Sequence, residues 1–268
     1  MVVMTSPQGP VELPWIVTEL AAGRPVRAVW KNEAGGLTFQ VGLEDARQFV
    51  KWTPAGSGID LSAEVVRLRW AVAFTVVPRV VDEGADGTGS WIVTAGLPGR
   101  MAVDDHWKRD PATAVRTIGA GLRALHEQLP VADCPFGWSA EQRLEAVRSR
   151  AATGRIDPKD WPGDFEHPGT VERALGVLAD IPPIDELVVC HGDACAPNTL
   201  IGDDGTCSGH VDLGSLGVAD RWADLAIATR STRWNYGPGW EEPLLEAYGV
   251  EPDPERIRYY RLLWRLSD

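Results

Sequence analysis

The stretch from Val188 to Gly214, VVCHGDACAPNTLIGDDGTCSGHVDLG, limits what this chain can fold into more than any other. It reads as two short apolar strands joined by a polar loop and a turn, with its charged residues held at strand ends. Asp193 and Asn198 stand five residues apart behind a His-Gly pair, and Asp212 follows directly after Val211. Two acids and an amide so placed can face one point.

Protein kinases use the same economy of residues. A catalytic-loop Asp accepts or orients the hydroxyl proton, an Asn five residues on binds Mg²⁺, and an Asp further along binds it too. The trio here resembles that set, so the rest of the chain is read for parts that hold a nucleotide and an acceptor.

Length and composition set the limits of that reading. At 268 residues with 44% hydrophobic content, the chain can bury a substantial core in one large domain or two lobes. Its 26 basic residues against 38 acidic ones give a net charge of −12. That excess disfavours a nucleic-acid partner, because phosphate neutralisation needs a Lys/Arg surface, and it suits a cationic small molecule. Four cysteines without a CxxC pair indicate neither a disulfide framework nor a standard zinc site. The grouping Cys190, His191, Cys195, Cys207 and His210 matches no common zinc spacing. The N-terminus has no basic, apolar leader and no run is long enough to cross a bilayer. A cytoplasmic protein, without membrane attachment and monomeric or weakly dimeric, is expected.

In the N-terminal third, Val11 to Ala21 reads as a short helix or an extended segment. PVRAVWKN, LTFQVG and ARQFVKW then cluster β-branched and aromatic residues around the turn-prone NEAGG and GLED, predicting three antiparallel strands. Gly35 and Gly36 in the first turn serve either a positive φ or a close backbone approach to nucleotide phosphates; both readings stand. Lys51 ends the third strand, where its side chain can point inward. LSAEVVRLRWAV follows with helical spacing, Ser62 near its start and Glu64 placed to pair with Lys51. Taken singly, these two are ordinary surface charges; their order ahead of the Asp-Asn-Asp trio raises their weight. VPRVVDEG and GSWIVTAGLPG add two strands, completing a five-stranded sheet with one helix. The segment from Thr94 to Gly99 is the linker candidate, and the backbone around Thr94 and Gly96 can meet an adenine edge. The predicted division is a nucleotide-binding lobe over 11–94, a hinge over 95–99, and a catalytic and substrate-binding lobe over 100–268.

Helical patterning dominates beyond the linker. Ala112 to Gln128 places Val115, Ile118, Leu122 and Leu125 on one face, with His126 read as a packing or carbonyl-satisfying residue. Ala140 to Ala152 and Thr170 to Ala179 are further helices. Between them GRIDPKDWPGDFEHPG carries Asp157, Asp160, Asp164 and Glu166, an acidic loop that lines a substrate cleft or simply connects helices in solvent.

HGDACAPN, SGHVDLG and GVADRWADLAIATRS, together with GLRALHEQLPVADCPF and PDPERIRYYRLL, resemble the aminoglycoside phosphotransferases of the 3′ and streptomycin 3″ types. The resemblance covers most of the C-terminal part; in the N-terminal part it rests on Lys51, Glu64 and strand order. It implies a bilobal, protein-kinase-like α+β fold, with a small antiparallel sheet and one helix in the first lobe and a larger, mainly helical second lobe. It also implies ATP or GTP with Mg²⁺, and a small hydroxylated acceptor, an aminoglycoside first, in an antibiotic-resistance role. By position, Asp193 resembles the residue that orients or deprotonates the attacking hydroxyl, and Asn198 and Asp212 resemble the Mg²⁺ ligands. Lys51 would touch the α/β-phosphates, His191 would hold the loop, and Asp224 would brace it, with Asp220 and Arg221 able to do likewise.

Departures from the family pattern bear on the acceptor. Where the 3′ enzymes usually read DxGRxGxAD, this chain has Ser215 in place of the basic residue, and the usual YRLLDEF ending reads Tyr260-Arg261-Leu262-Leu263-Trp264-Arg265. An acidic pair that grips amines is thus Trp-Arg, for which Asp268 and Asp157 and Asp160 of the acidic loop are candidate replacements. Ala34 stands where the phosphate loop often has Ser. Two other readings stay open: a kinase for a different hydroxylated metabolite or antibiotic, and a nucleotide-binding pseudokinase or scaffold.

Overall fold

The computed structural model describes residues 11–32, 35–161 and 168–267, without the side chains of Asp45 and Asp160. Ala34, Asp164, Glu166, Asp268 and the Asp160 side chain therefore lie outside what is described. By residue contacts the chain divides into two compact units, Met1–Pro98 and Gly99–Asp268.

The first unit runs α1 (Trp15–Ala21), β1 (Val26–Lys31), β2 (Leu37–Val41), β3 (Gln48–Pro54), α2 (Ser62–Ala71), β4 (Val80–Ala85) and β5 (Gly89–Ala95). The strands form one antiparallel sheet in the order β1-β2-β3-β5-β4. The period-two alternation of a strand sends neighbouring residues to opposite faces, and here both faces are used. Phe39, Val41, Val50 and Val93 join Val17 and Ala21 of α1 in one buried cluster, whereas Ile92 joins Leu61 and Val65 in another. Ile92 and Val93 are adjacent, so β5 is the element both clusters share. Because Val50 belongs to the α1 side, Lys51, paired across from Ile92, emerges on the α2 side. Helix α2 begins at Ser62, as its spacing predicts, but the Ser62 side chain accepts nothing from the helix; Asp60 Oδ1 accepts from the Ser62 N–H at 2.9 Å and from its hydroxyl at 2.6 Å. The Asp60 carboxylate thus closes a local turn onto the residue two positions on.

The second unit contains β6 (Arg100–Met101), α3 (Asp105–Lys108), α4 (Pro111–Gln128), α5 (Ala140–Ala152), α6 (Val171–Ala179), β7 (Leu187–Cys190), β8 (Thr199–Ile201), β9 (Cys207–His210), β10 (Gly217–Asp220), α7 (Trp222–Tyr236), α8 (Glu241–Tyr248) and α9 (Pro254–Ser267). Together with the first unit's sheet this makes an α+β protein. Helix α4 begins on Pro111 with Asp110 as its cap and buries Val115, Ile118, Leu122 and Leu125. Gly119 lets α8 approach: a Cβ there would stand 2.4 Å from the Leu244 carbonyl oxygen. A reciprocal capping box between Ser139 and Gln142 opens α5. Helix α7 is apolar or buried almost all round from Trp222 to Thr232 and forms the centre of the unit.

The central stretch is more divided than its sequence suggests. Three strands, not two, cross it, and they belong to two sheets. β7 pairs antiparallel with β10, Cys190 opposite Gly217, while β8 lies between β6 and β9. The polar loop after Cys190 therefore carries the chain from one sheet to the next. Among the described residues no helix is long and apolar enough to cross a membrane.

Candidate active site

In the first unit the alternation of β3 delivers Lys51 to α2, where its Nζ lies 2.7 Å from Glu64 Oε2. Glu64 is buried at 7% exposure, so the carboxylate is held by its ammonium partner in a partly desolvated setting. Gly35 takes a positive φ of 86°, and the Gly36 N–H donates to Asn32 Oδ1 at 2.7 Å. A Cβ on Gly36 would lie 2.6 Å from the Asn32 amide nitrogen, so this turn is closed by its own asparagine. Thr94 is buried within β5, and the Gly96 N–H donates to the Arg47 carbonyl at 2.9 Å. The Arg47 guanidinium in turn donates to the Leu97 carbonyl, which ties the end of this unit to the segment before β3.

The second unit holds the trio. After β7 the chain turns at Gly192, φ 87°, where a Cβ would come within 2.2 Å of the Ser215 carbonyl oxygen. Only glycine permits that approach, which brings the Asp193 loop against the segment following Asp212. The turn is fixed from below by Asp224 on α7. Its Oδ2 accepts from the His191 N–H at 2.6 Å and its Oδ1 from the Gly192 N–H at 2.9 Å. His191 links the two loops: its Nδ1 accepts from the Asp193 N–H at 3.3 Å, leaving Nε2–H to donate to the Val211 carbonyl at 3.0 Å. Farther on, the Ala196 N–H donates to Ser231 Oγ of α7 at 2.8 Å.

Asp193, Asn198 and Asp212 converge. The Asn198 amide nitrogen donates to the Asp193 carbonyl oxygen at 2.9 Å and to Asp193 Oδ2 at 3.1 Å, so its own side-chain oxygen remains an acceptor. Asp212 is one of three non-glycine residues with positive φ among those described, at 65°, a costly conformation that functional loops retain. It follows β9 rather than lying on a strand. Burial, and then the charge of Asp212, push the Asp193 carboxyl above its ordinary range; Cys195, His191 and Asn198 counter this only in part. Asp193 Oδ1 is enclosed with no hydrogen-bond partner. The Asp193 and Asp212 carboxylates, an unsatisfied Asp193 oxygen and the Asn198 amide oxygen make a hard-oxygen donor set. This is the chemistry a divalent cation such as Mg²⁺ takes.

Beneath the loop sits a residue the sequence reading kept as mere packing. His126, at the end of α4, is buried; its Nε2 lies 2.9 Å from Asp224 Oδ2 and its Nδ1 2.8 Å from the Tyr248 hydroxyl. Burial alone would raise the Asp224 carboxyl, but the hydrogen bond and charge of His126, with His191 and the Gly192 N–H, bring it below its ordinary value. Tyr248 and Ser231 carry no local sequence signal. The three- and four-residue spacing of α4 does mark His126 as facing inward, one turn beyond Leu122 and next to Leu125.

Other candidates fall elsewhere. Asp220 accepts from the Asp185 and Trp222 N–H groups, and Arg221 pairs with Asp185 at 2.7 Å and Glu186 at 2.6 Å. They anchor the start of α7 to the segment before β7 and do not brace the Asp193 loop. Asp157 is exposed and caps the short turn after it by accepting from the Lys159 N–H. Among the described residues, the cysteines and histidines of the stretch form no cluster of the kind weighed above. The one compact group, His126, Cys190 and Asp224, is buried, and the Cys190 thiol, pushed up by burial and by Asp224 and Asp220, donates to the Asp220 carbonyl.

Comparison with known proteins places the chain among relatives of one kind. The chain is 38% identical over 230 residues to an aminoglycoside 3′-phosphotransferase of Streptomyces fradiae, covering 78% of this chain and 81% of that one. To the streptomycin 3″-kinase of Streptomyces griseus it is 35% identical over 246 residues, 87% and 89% of the two chains. The solved structure of the 3″-type aminoglycoside phosphotransferase of Streptomyces rimosus superposes with a TM-score of 0.77 at 26% identity, covering 95% of this chain and 99% of that one. Its complex with ADP and streptomycin superposes with a TM-score of 0.69 at 27% identity, over 94% and 97%. These neighbours share the kinase-like α+β fold. The sequence profile described as the phosphotransferase enzyme family matches residues 29–260, most of the chain, and the protein belongs to that family.

Proposed function

We propose that the protein transfers the γ-phosphoryl group of ATP or GTP to a hydroxyl of a small molecule, an aminoglycoside antibiotic being the first candidate. The observation that carries this is the convergence of Asp193, Asn198 and Asp212 on a loop braced by Asp224, in a chain of this family. Asp193 is the group that receives or orients the acceptor's hydroxyl proton. A carboxyl raised by burial and by a neighbouring charge has the greater proton affinity this needs. Asn198 and Asp212 would hold Mg²⁺, which supplies positive charge to the phosphate oxygens when bound. Lys51, held by Glu64, contributes a cation toward the phosphates, and residues 11–94 form the nucleotide-binding part, joined through 95–99 to the catalytic part over 100–268. Transfer then depends on positioning and electrostatics, since a loose phosphoryl transition state asks little covalent chemistry of the protein. The acceptor is a soluble compound met in the cytoplasm.

The test is nucleotide consumption by the purified chain with Mg²⁺, across a panel of aminoglycosides and other hydroxylated antibiotics, with the phosphorylated product identified by mass spectrometry. Product formation lost in Asp193→Ala, with nucleotide still bound, supports the proposal. Turnover retained in that variant overturns the role of Asp193, and absence of any product across the panel overturns the activity.

A further inference from the structure

A chain of hydrogen bonds runs through the second unit from the end of α8 to the loop that carries Asp193. Tyr248, the last residue of α8, is buried, and Gly249 ends the helix behind it at a φ of 93°. Arg123 of α4 donates to the Tyr248 carbonyl at 2.9 Å, which ties α8 to α4 here, as the close contact at Gly119 does farther along. The Tyr248 ring stands edge-on to His126, with 5.6 Å between centroids and 70° between planes, and its hydroxyl lies 2.8 Å from His126 Nδ1. His126 Nε2 lies 2.9 Å from Asp224 Oδ2, the oxygen that also accepts from the His191 N–H. Buried side chains from α8, α4 and α7 are thus linked in series to the backbone just before Asp193.

Each link restrains the next. Asp224 Oδ1 accepts from the Gly192 N–H while Oδ2 accepts from His191, so the plane of this carboxylate sets the two peptide groups that lead into Asp193. His126 Nε2 pins Oδ2 against rotation of that plane. A ring held at one nitrogen can still pivot, and a second contact at Nδ1 removes the freedom. The Tyr248 hydroxyl supplies this contact, because a phenol both donates and accepts and so serves Nδ1 with or without a proton there. Burial pushes the Tyr248 hydroxyl up, so it keeps its own proton and adds no anion beside Asp224. The nearby Cys190 thiol donates to the Asp220 carbonyl at 3.4 Å and does not compete for either ring nitrogen.

We propose that Tyr248 is a positioning residue for phosphoryl transfer: its hydroxyl holds the His126 ring, the ring holds the Asp224 carboxylate, and the carboxylate holds the peptide groups from which Asp193 projects. Misplacing reacting groups by about 1 Å can cost on the order of a hundredfold in rate. A slackened carboxylate therefore acts on kcat and leaves the binding of nucleotide and acceptor in place. This role deepens the phosphotransfer reading and rests on it.

The experiment uses the full chain with Tyr248→Phe, His126→Ala, the two combined, and 3-fluorotyrosine at position 248, which keeps the hydroxyl while altering the ring edge. Steady-state kcat and both KM values are measured with aminoglycoside acceptors, and exchange of the His191 and Gly192 amides is followed by NMR on the chain without acceptor. Tyr248→Phe should lower kcat about tenfold, the worth of one neutral hydrogen bond realised in the transition state, with each KM within about twofold of wild type. It should also speed exchange of those two amides about tenfold. The fluorinated ring should keep kcat within about twofold, which shows that the hydroxyl and not the fit of the ring is at stake. Since Tyr248 acts through His126, Tyr248→Phe should cost nothing further in the His126→Ala background. An unchanged kcat in Tyr248→Phe, an equal loss in both backgrounds, or a raised KM in place of a lowered kcat overturns the positioning role while leaving phosphotransfer standing. If the wild-type chain transfers phosphate to no acceptor, the phosphotransfer reading falls and amide exchange decides the brace by itself: faster exchange in Tyr248→Phe sustains it, and unchanged exchange overturns it.

Discussion

Removing the carboxylate of Asp224 should cost the second unit several kilocalories and the loop its geometry. The side chain is fully buried and accepts from three donors: the His191 and Gly192 N–H groups and His126 Nε2. Asp224→Ala strands all three in a dry site. A buried donor left without an acceptor costs roughly 1–3 kcal/mol, so for three such donors a total near 4 kcal/mol is a conservative estimate. For a unit of this size each kcal/mol lowers Tm by about 2–4 °C, which puts the expected drop near 10 °C. Asp224→Asn keeps an acceptor oxygen but sets an amide against an N–H, and should fall between wild type and alanine. Thermal unfolding followed by circular dichroism measures both. The sign with pH also follows. A carboxyl held below its ordinary value stabilises the fold above the unfolded value of about 3.9, and the contribution fades as pH falls through the folded value. The difference between wild type and Asp224→Asn should therefore be full near pH 6 and shrink toward pH 3. An alanine variant within about 2 °C of wild type at pH 7 would refute the brace.

Asp193 should behave in the opposite sense. Its raised carboxyl makes the folded state hold the proton more tightly than the unfolded chain, so its ionisation costs stability as pH climbs past about 3.9 and through the folded value. Asp193→Asn is expected to abolish transfer yet raise Tm at pH 7, with no gain near pH 3; a lower Tm at pH 7 counts against this electrostatic account. Gly192→Ala places a Cβ 2.2 Å from the Ser215 carbonyl oxygen at a φ of 87°, and should cost at least about 2 kcal/mol in chemical denaturation with loss of turnover. A change under about 0.5 kcal/mol would mean the two loops are free to part. Lys51→Met should weaken nucleotide binding by about ten- to a hundredfold, the worth of a charge-assisted contact, while acceptor affinity holds; an unchanged nucleotide KM would remove Lys51 from the phosphates.

Much of this architecture is local in origin and therefore legible in the chain. The Ser139-x-x-Gln142 box announces α5, the spacing of Val115, Ile118, Leu122 and Leu125 announces α4, and alternating β-branched residues announce the first sheet. The trio was visible because one short loop carries two of its members. What stayed hidden depends on contacts distant in sequence. Nothing near Cys190 says that its strand pairs with Gly217 rather than with the strand that follows it. Tyr248 reaches His126 across 122 residues, and Ser231 reaches Ala196 from another helix. The positive φ of Asp212 has no glycine to signal it, because the surrounding loops impose it.

The three donors gathered by Asp224 come from parts of the chain separated from it by 98, 33 and 32 residues. During synthesis the His191–Asp193 segment leaves the ribosome before its acceptor exists, and α4 has long since emerged with His126 at its end. Domains fold as units once their contacts are available, so a nascent chain stopped short of α7 holds every residue of the trio in an unset loop. Competence for chemistry thus arrives late and all at once, when the helix that carries Asp224 docks.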